Sequence, residues 1–248
     1  MAISGLVITF NEEKNIGACI DSLLRVCNEV VIVDSNSSDD TVAIAREKGA
    51  KVYLQDFLGD GPQRIHGLQF CSNDWILNLD ADEILDEDSY EFMKSGDYHN
   101  DPYDAYLFRY YNYMGNKLIN FSGWYPDYTC RFFNKKTAAP STSIVHQRVK
   151  GGNMVRKNLH VHHYGWSSFY DIISKKNQYT DWQAQEMFEK GKRASWFDPL
   201  THCFAAWFRC YFFKRGFLNG LDGCTFSLIQ AFFSYMKYAK LRKLQKES

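Results

Sequence analysis

Short apolar runs alternate with amphipathic segments along the first hundred residues. Each run is bounded by polar or turn-forming residues, which is typical of a strand buried on both faces of a sheet. The runs occupy residues 3–9, 29–34, 51–54 and 75–79. The segments between them have helical apolar spacing, as at Ile16, Ile20, Leu23 and Leu24. Strands that alternate with helices predict right-handed βαβ units and a parallel sheet.

The pattern changes after residue 100. Three further strands, joined by turn-rich loops, are predicted at residues 105–111, 128–133 and 143–149. From about residue 167 the sequence is helical, with a linker expected near residues 198–199 and aromatic, amphipathic segments at 203–213 and 224–241. We therefore predict an α/β fold with a mixed sheet in residues 1–165 and a helical C-terminal extension in residues 166–248.

The overall composition is that of a globular protein without a nucleic-acid partner. The 29 Lys and Arg balance the 29 Asp and Glu, and a chain without net charge lacks the electrostatic footprint of a nucleic-acid-binding protein. Seven scattered cysteines form no C-x-x-C pair, which favours a reducing cytosol over disulfides or a zinc site. No signal peptide is recognisable, and Arg209 and Asp222 interrupt the most apolar late segments. The sequence therefore favours a cytoplasmic protein without a membrane-spanning helix.

A cluster of carboxylates follows the apolar run 75–79. Asp80, Asp82 and Glu83 stand where this strand ends, and ligands in α/β sheets bind outside the carboxyl ends of the strands. Carboxylates held there suit a divalent cation that bridges the protein to a substrate phosphate. A solvated acidic turn is the alternative, because so short a motif also arises by chance. We interpret a second acidic triplet, residues 86–88, as the first turn of the next helix.

Two other strand ends carry polar residues that would meet this cluster. The first strand is followed by Asn11 and Glu12, and the second ends at Asp34. Arg64 opens a later helix, where a cation and free N–H groups both favour phosphate. These positions suit a nucleotide laid across the strand ends, with a turn cap as the alternative for Asp34 and a solvated surface residue as the alternative for Arg64. The glycine-rich signatures of dinucleotide-binding and P-loop proteins are absent from the sequence.

Several segments resemble the family-2 glycosyltransferases in order and spacing. In the first half they are Val7-Ile-Thr-Phe-Asn-Glu-Glu-Lys-Asn-Ile16, Val31-Ile-Val-Asp-Ser-Asn-Ser-Ser-Asp-Asp-Thr41 and Leu79-Asp-Ala-Asp-Glu83. Later segments resemble the subgroup that adds glucose to the inner core of bacterial lipopolysaccharide. These are Gly123-Trp-Tyr-Pro-Asp127, Arg131-Phe-Phe133, Val145-His146 and Gly216-Phe-Leu-Asn-Gly-Leu-Asp-Gly223. The resemblance implies a GT-A fold, a UDP-sugar donor, a divalent metal (Mg²⁺ or Mn²⁺) and inversion at the anomeric carbon.

The resemblance also implies a role for each donor-site residue. The expected contacts are Phe10, Asn11, Glu12 and Asp34 at the uridine, Arg64 at the diphosphate, Arg131 elsewhere in the donor site, Asp80 at the ribose or the metal, and Asp82 at the metal.

The catalytic base is predicted from the second half of the chain. Inverting transfer needs a carboxylate opposite the leaving diphosphate, and Asp80 and Asp82 are not free for this task if they hold ribose and metal. We predict that Asp127 is the base, because Pro126 stiffens the chain immediately before it. The alternatives for Asp127 are a turn cap or an ion pair with Arg131.

Aromatic residues and a histidine complete the predicted acceptor site. Trp124 and Tyr125 would stack on a sugar ring, with core packing as the alternative. His146 is the next candidate for the base or for an acceptor contact, with a structural strand histidine as the alternative. Relatives often have Val-His-Glu where this chain has Gln147, which puts any role of that glutamate in doubt here.

Three later histidines have a spacing that suggests a metal site. They are His160, His162 and His163, interrupted by Val161. We favour a structural role in a strand or loop for all three.

The predicted reaction is transfer of a hexose, with glucose favoured, from a UDP-sugar to a hydroxyl of a glycan or glycolipid such as lipopolysaccharide core. One alternative is a nucleotidyltransferase, which also uses acidic strand ends and a metal but releases pyrophosphate. Another is a non-catalytic glycan-binding protein on the same fold. Intact Asp80 and Asp82 argue against this last alternative, and Gln147 argues for it.

The C-terminal segments are both aromatic and basic. The accompanying cations are Lys214, Arg215, Lys237, Lys240, Arg242 and Lys243. A helix of this composition suits the surface of an anionic membrane, with a plain core helix as the alternative. We predict peripheral attachment to the cytoplasmic face of a membrane.

Overall fold

The computed structural model of the protein describes residues 2–119, 125–143, 148–166 and 169–247. The chain divides into two compact units. The first comprises Met1–Asn112 and Asp127–Gly165, and the second comprises Tyr113–Pro126 and Trp166–Ser248.

Strands dominate the first unit and helices the second. The strands are β1 (Ile3–Thr9), β2 (Glu29–Asp34), β3 (Lys51–Leu54), β4 (Trp75–Asp80), β5 (Glu83–Leu85), β6 (Ala105–Met114), β7 (Lys117–Ile119), β8 (Tyr128–Asn134), β9 (Ala138–Pro140), β10 (Val149–Gly151) and β11 (Met154–Trp166). The helices are α1 (Ile16–Leu24), α2 (Thr41–Glu47), α3 (Asp60–Leu68), α4 (Glu87–Ser95), α5 (Phe169–Glu189), α6 (Asp198–Phe208) and α7 (Gly220–Glu247).

The main sheet is mixed. Within the described residues its order is β3-β2-β1-β4-β8-β6-β11-β5, and β7 pairs with β6. The first four strands are parallel, as the alternating pattern predicted. β8 runs antiparallel to β4, and β5 runs antiparallel to β11. The carboxyl ends of the parallel strands therefore lie at the same edge of the sheet as the start of β8.

Apolar side chains cover both faces of the parallel half of the sheet. Neighbouring residues of one strand point to opposite faces, so Leu6 and Ile76 enter one buried cluster while Val7 and Leu77 enter the other. All four side chains are fully buried, and each such burial stabilises the fold by about 1.5–3 kcal/mol. This two-sided burial explains why the strands are apolar throughout.

Helix α1 covers one of these faces, and the set of apolar residues that it buries differs slightly from the predicted set. Its buried apolar residues are Ile16, Cys19, Ile20 and Leu23, a spacing of three and four residues that forms one helical face. The prediction that Leu24 belongs to this face is wrong, because Leu24 is exposed.

The later elements depart more from the prediction. The linker expected near 198–199 is confirmed, because residues 190–197 separate α5 from α6. Asp198 and Pro199 themselves form the first turn of α6, where proline is well accommodated. Only part of the strand expected at 143–149 can be compared, because residues 144–147 lie outside the described residues. The long strand β11 was not predicted as an element, although a strand was one of the two settings expected for its histidines.

The second unit is a helical assembly, and its described residues form two small apolar clusters. One contains Ile119, Ile172 and Phe226, and the other contains Ala184 and Leu241. α5 and α6 both pack against α7. No helix in the described part of the chain combines the length and the apolar character that a membrane crossing requires.

Residues 113–126 belong to this helical unit, whereas the predicted boundary at residue 165 groups them with the sheet. The assignment of residues 1–165 and 166–248 to separate functions stays a proposal.

Candidate active site

The predicted donor-site residues converge at one edge of the first unit's sheet. Ile8 of β1 lies opposite Asp80 of β4, and Thr9 lies opposite Asp34 of β2. The loop after β1, the end of β2 and the end of β4 therefore meet, as the sequence predicted. β8 adds Arg131 from the antiparallel side.

Asp80 lies between two arginines. Arg64 Nη2 donates to Asp80 Oδ1, and Arg131 Nη2 donates to Asp80 Oδ2. Burial alone would raise the pKa of Asp80, but the Arg131 and Arg64 guanidiniums outweigh it and hold that pKa well below its usual range. Asp80 is therefore ionised at every physiological pH, and each of its oxygens already accepts a charged hydrogen bond.

Arg64 is a buried residue, not a solvated surface arginine. Its Nε donates to Asp60 Oδ1 at 3.1 Å, and its Nη1 donates to Asn78 Oδ1 at 2.8 Å. Only 3% of the residue is exposed. Asp60 lies one helical turn before Arg64 in α3, so the local helix holds the guanidinium against the end of β4.

Glu83 completes this buried network. Arg131 Nη2 donates to Glu83 Oε1, and the Asp80 backbone N–H donates to Glu83 Oε2 at 3.0 Å. Burial raises the pKa of Glu83 above its ordinary value, Arg131 opposes the rise, and the Asp80 and Asp82 carboxylates add to it. The position of Glu83 after the apolar strand predicts that it lies at the cleft, but indicates no role for it. The structure shows that it fixes the turn carrying Asp80 and Asp82.

Asp82 faces a histidine of β11. Its Oδ2 lies 3.5 Å from His163 Nε2, and one ligand atom each of Asp82, Glu83 and His163 lie within 4.8 Å of one another. His163 Nδ1 lies 2.7 Å from Asn112 Oδ1. An amide oxygen only accepts hydrogen bonds, so Nδ1 carries the proton and Nε2 is directed toward Asp82. The sequence favours a purely structural role for His163, but β11 also brings its imidazole next to the Asp82 and Glu83 carboxylates.

The charge of His163 follows from its neighbours. Burial lowers its pKa, but Asp82, then Glu83 and Asp80, outweigh burial and raise the pKa of His163 to about 9. Without a metal the imidazole is therefore protonated at neutral pH and balances the Asp82 carboxylate. A metal ion at Nε2 would have to displace that proton.

Gly165 has no side chain, and this keeps the space beside the His163 ring and the Asp82 carboxylate open. A Cβ at this position would lie 2.6 Å from His163 Nε2 and 2.8 Å from Asp82 Oδ2, so any larger residue would push into the two groups. The backbone N–H of Tyr164 donates to the Asp82 carbonyl at 2.9 Å and fixes the two segments together. Two carboxylates, an imidazole and this open space fit a divalent cation such as Mn²⁺, for which imidazole is a better ligand than it is for Mg²⁺.

The loop after β1, which carries the predicted uridine contacts Phe10, Asn11 and Glu12, is hydrogen-bonded to the segment that follows β2. The Asn11 N–H donates to Ser37 Oγ at 2.8 Å, Asn11 Oδ1 accepts from the Ser38 N–H at 2.9 Å, and the Glu12 N–H donates to Thr41 Oγ1 at 2.7 Å. The Phe10 side chain is exposed beside them, with 60% of the residue accessible. An exposed phenyl ring in a rigid loop is available to stack on a base.

Asp34 is fully buried and internally hydrogen-bonded. Its Oδ1 accepts from the Ser37 N–H at 2.7 Å, and its Oδ2 accepts from the hydroxyls of Thr9 at 2.7 Å and Ser37 at 2.6 Å. The carboxylate therefore holds the loop in shape. Its predicted contact with the uridine stays a prediction.

Asp127 stands at the start of β8. It is exposed, and its backbone carbonyl accepts from the Tyr110 N–H at 3.1 Å. The alternative ion pair with Arg131 is not formed in the described structure, since Arg131 binds Asp80 and Glu83. Among the other predicted acceptor residues, Tyr125 is half-buried in the second unit, and Trp124 and His146, with Gln147, lie outside the described residues.

Comparison with known proteins identifies relatives along almost the whole chain. The family described as "Glycosyl transferase family 2" matches residues 4–217. An uncharacterized glycosyltransferase of Rickettsia felis is 34% identical, covering 97% of this chain and 89% of that protein. The lipopolysaccharide core biosynthesis glycosyltransferase LpsC of Rhizobium meliloti is 26% identical, covering 96% of this chain and 94% of that protein. Among solved structures, S. aureus TarS 1-349 in complex with UDP-GlcNAc aligns with a TM-score of 0.49 at 14% identity, covering 100% of this chain and 92% of that one.

Proposed function

The chain belongs to glycosyl transferase family 2, and from this premise we propose that it moves a hexose, with glucose favoured, from a UDP-sugar to a hydroxyl of a glycan or glycolipid. The observation that carries the proposal is the meeting of Asp82, Glu83 and His163 at the sheet edge that also carries the loop after β1. The relative named for lipopolysaccharide core biosynthesis supports a core oligosaccharide as the acceptor.

Asp82 and His163 would hold the divalent cation, with Glu83 behind them. A bound cation of this kind supplies positive charge to the leaving diphosphate. The arginines alone supply less, because Asp80 and Glu83 already neutralise much of the charge of Arg64 and Arg131. We therefore propose that donor binding depends on the metal, while the arginine network keeps Asp80 and the turn after it in one geometry.

Asp127 is the proposed catalytic base. The antiparallel register places Leu77 of β4 opposite Phe132 of β8, so residues that precede β8 lie at the edge where β4 delivers Asp82. In the described structure the Asp127 side chain makes no hydrogen bond or ion pair, and it is open to solvent. A carboxylate in this position suits removal of the acceptor hydroxyl proton as the hydroxyl attacks the anomeric carbon.

The second unit is the proposed contact with a membrane. Several large apolar residues are more than half exposed there: Trp196, Phe197, Leu200, Phe204, Phe213, Leu218 and Leu221. Residues 166–248 contain 13 Lys and Arg against 7 Asp and Glu, although the whole chain is balanced. Exposed apolar surface together with excess positive charge suits an anionic lipid surface. We propose that this segment attaches the enzyme peripherally to the cytoplasmic face of a membrane that contains the acceptor.

A donor screen tests the proposed activity. The full chain is incubated with Mn²⁺, a core oligosaccharide acceptor and each of several UDP-sugars, and released UDP and pyrophosphate are measured separately. We expect acceptor-dependent UDP release, with UDP-glucose among the best donors. Pyrophosphate release would indicate a nucleotidyltransferase, and neither product with any donor would indicate a glycan-binding protein.

A further inference from the structure

A second group of metal-ligand side chains lies at the start of α4, apart from the Asp82 group. One carboxylate oxygen each of Asp86 and Asp88 and one ring nitrogen of His160 lie within 4.8 Å of one another. Asp86 is the N-cap of α4, and its Oδ1 accepts from the Asp88 N–H at 3.0 Å. This agrees with the predicted acidic first turn, but helix capping does not account for the histidine.

His160 is buried, and its ring has no hydrogen-bond partner among the residues that the structure describes. Only 4% of the residue is exposed, and its Nε2 is buried and unpartnered within the described part of the chain. Its backbone is fixed, because His160 N–H donates to Ser89 Oγ at 2.9 Å and Ser89 Oγ donates to the His160 carbonyl at 2.9 Å. The Tyr111 ring stacks on the imidazole with centroids 4.4 Å apart. The backbone contacts and the Tyr111 ring thus hold the imidazole beside two carboxylates, and none of the described residues forms a hydrogen bond with it.

We propose that Asp86, Asp88 and His160 bind a second divalent cation, of the Zn²⁺ type. Zn²⁺ accepts a mixed set of imidazole and carboxylate ligands, whereas Mg²⁺ prefers oxygen ligands alone. Asp88 is exposed, so water can complete the coordination. His162 Nε2 lies 3.2 Å from Asp86 Oδ2 and orients that carboxylate, in the manner of the outer partners that support metal ligands.

The position of this site suggests a structural role. Asp86 follows Glu83 by three residues, and His160 precedes His163 by three residues. β5 pairs with β11 between these positions, and the Asp86 N–H donates to the His160 carbonyl at 3.2 Å. A cation bound here would join the start of α4, which follows β5 directly, to β11. The ligands of the proposed active-site metal stand on the other side of the β5–β11 pairing, in the turn before β5, in β5 and in β11. The positive end of the α4 dipole opposes a cation at this point, so we expect weaker binding than at Asp82 and His163.

Zn²⁺ titration of the metal-stripped full chain tests the site. Isothermal titration counts the equivalents bound by the wild type, by Asp88→Asn, by His160→Ala and by Asp82→Ala. We expect two equivalents in the wild type and loss of the weaker one, or at least a tenfold drop in its affinity, in Asp88→Asn and His160→Ala. Asp82→Ala should retain that weaker equivalent. Asp97→Asn, which removes an exposed carboxylate just beyond the helix, is the matched control and should bind as the wild type does.

Two further readouts keep the outcome unambiguous. Co²⁺ in place of Zn²⁺ should show weak visible bands without the thiolate charge-transfer absorption that binding to cysteine would produce. Asp88 is exposed and its substitution should not disturb folding, so Asp88→Asn decides the question even if His160→Ala unfolds. One equivalent in the wild type that Asp82→Ala abolishes, or unchanged binding in Asp88→Asn, would overturn the proposal. The count of Zn²⁺ does not depend on any sugar donor, so the site stands or fails separately from the proposed reaction.

Discussion

At the scale of single residues, Asp127 has the clearest test. Asp127→Asn keeps the shape of the side chain and removes its basicity, so UDP-sugar binding should persist while turnover falls by roughly 10²–10⁴-fold, the usual contribution of a general base. Steady-state rates together with donor affinity check this prediction. His146→Ala is the companion variant, and a collapse of turnover there with near wild-type turnover in Asp127→Asn would transfer the role to the histidine.

Gly165 provides a steric test of the metal site. Gly165→Ala places a methyl group between His163 Nε2 and Asp82 Oδ2, so the affinity for Mn²⁺ should fall by roughly 10–100-fold, as for other disturbances around a metal site. Thermal unfolding should change much less. Gly17→Ala is the control, since its new Cβ meets mainly the flexible end of Lys48. Equal Mn²⁺ affinity in both variants would show that the space beside Gly165 is not where the cation binds.

The sequence identifies some site residues and not others for a physical reason. Asp80 and Asp82 follow an apolar strand directly, so the local pattern is sufficient to place them. His163 reaches Asp82 only because β11 pairs with β5, and this register joins segments about 80 residues apart. That contact leaves no local signal, and the same holds for Asn112, which orients the histidine from β6.

At the scale of elements, the α/β class, the mixed sheet and the helical C-terminal extension are confirmed by the structure, and family membership confirms the GT-A type. The parallel half was predictable because burial on both faces requires continuous apolar runs. β11 was missed because its sequence, MVRKNLHVHHYGW, is polar along much of its length. Two of its polar residues, His163 and His160, belong to the candidate metal groups, and such roles are not visible in a hydropathy pattern.

The pairing of β5 with β11 also predicts a dependence on pH. Because the folded-state pKa of His163 is raised from 6.5 to about 9, its stabilising contribution is fully present below pH 6.5 and is lost as pH rises through 9. The free energy of unfolding of the metal-free chain should therefore fall between pH 6.5 and pH 9, and His163→Gln should flatten that part of the pH profile.

Mn²⁺ affinity should show the opposite trend, rising with pH up to about 9 because the metal competes with the proton on His163. Denaturant unfolding and Mn²⁺ titration across pH 6–10 measure both, and a Mn²⁺ affinity independent of pH would remove His163 from the ligand set.

At the scale of the whole molecule, the exposed apolar residues of the second unit predict binding to anionic vesicles. Flotation with phosphatidylglycerol-containing vesicles should recover the protein at low salt and less of it at high salt. Each well-placed cation should contribute roughly 1 kcal/mol to the binding free energy, and salt screens this contribution. Lys214→Glu combined with Arg215→Glu should weaken binding, and so should Phe213→Ser. Phe57→Ser removes another exposed phenyl ring, this one from the first unit, and should have no effect. No recovery at any salt would leave these residues as a contact surface for protein.

The most direct measurement of the central claim is UDP binding as a function of Mn²⁺ in the wild type and in Asp82→Ala. The proposed site predicts that UDP binds tightly only with Mn²⁺, and that Asp82→Ala loses this dependence and most transferase activity while remaining folded. Asp74→Ala, which removes an exposed carboxylate next to the amino end of β4, should behave as the wild type. Full UDP binding and turnover in the presence of a strong chelator, unchanged in Asp82→Ala, would contradict the claim.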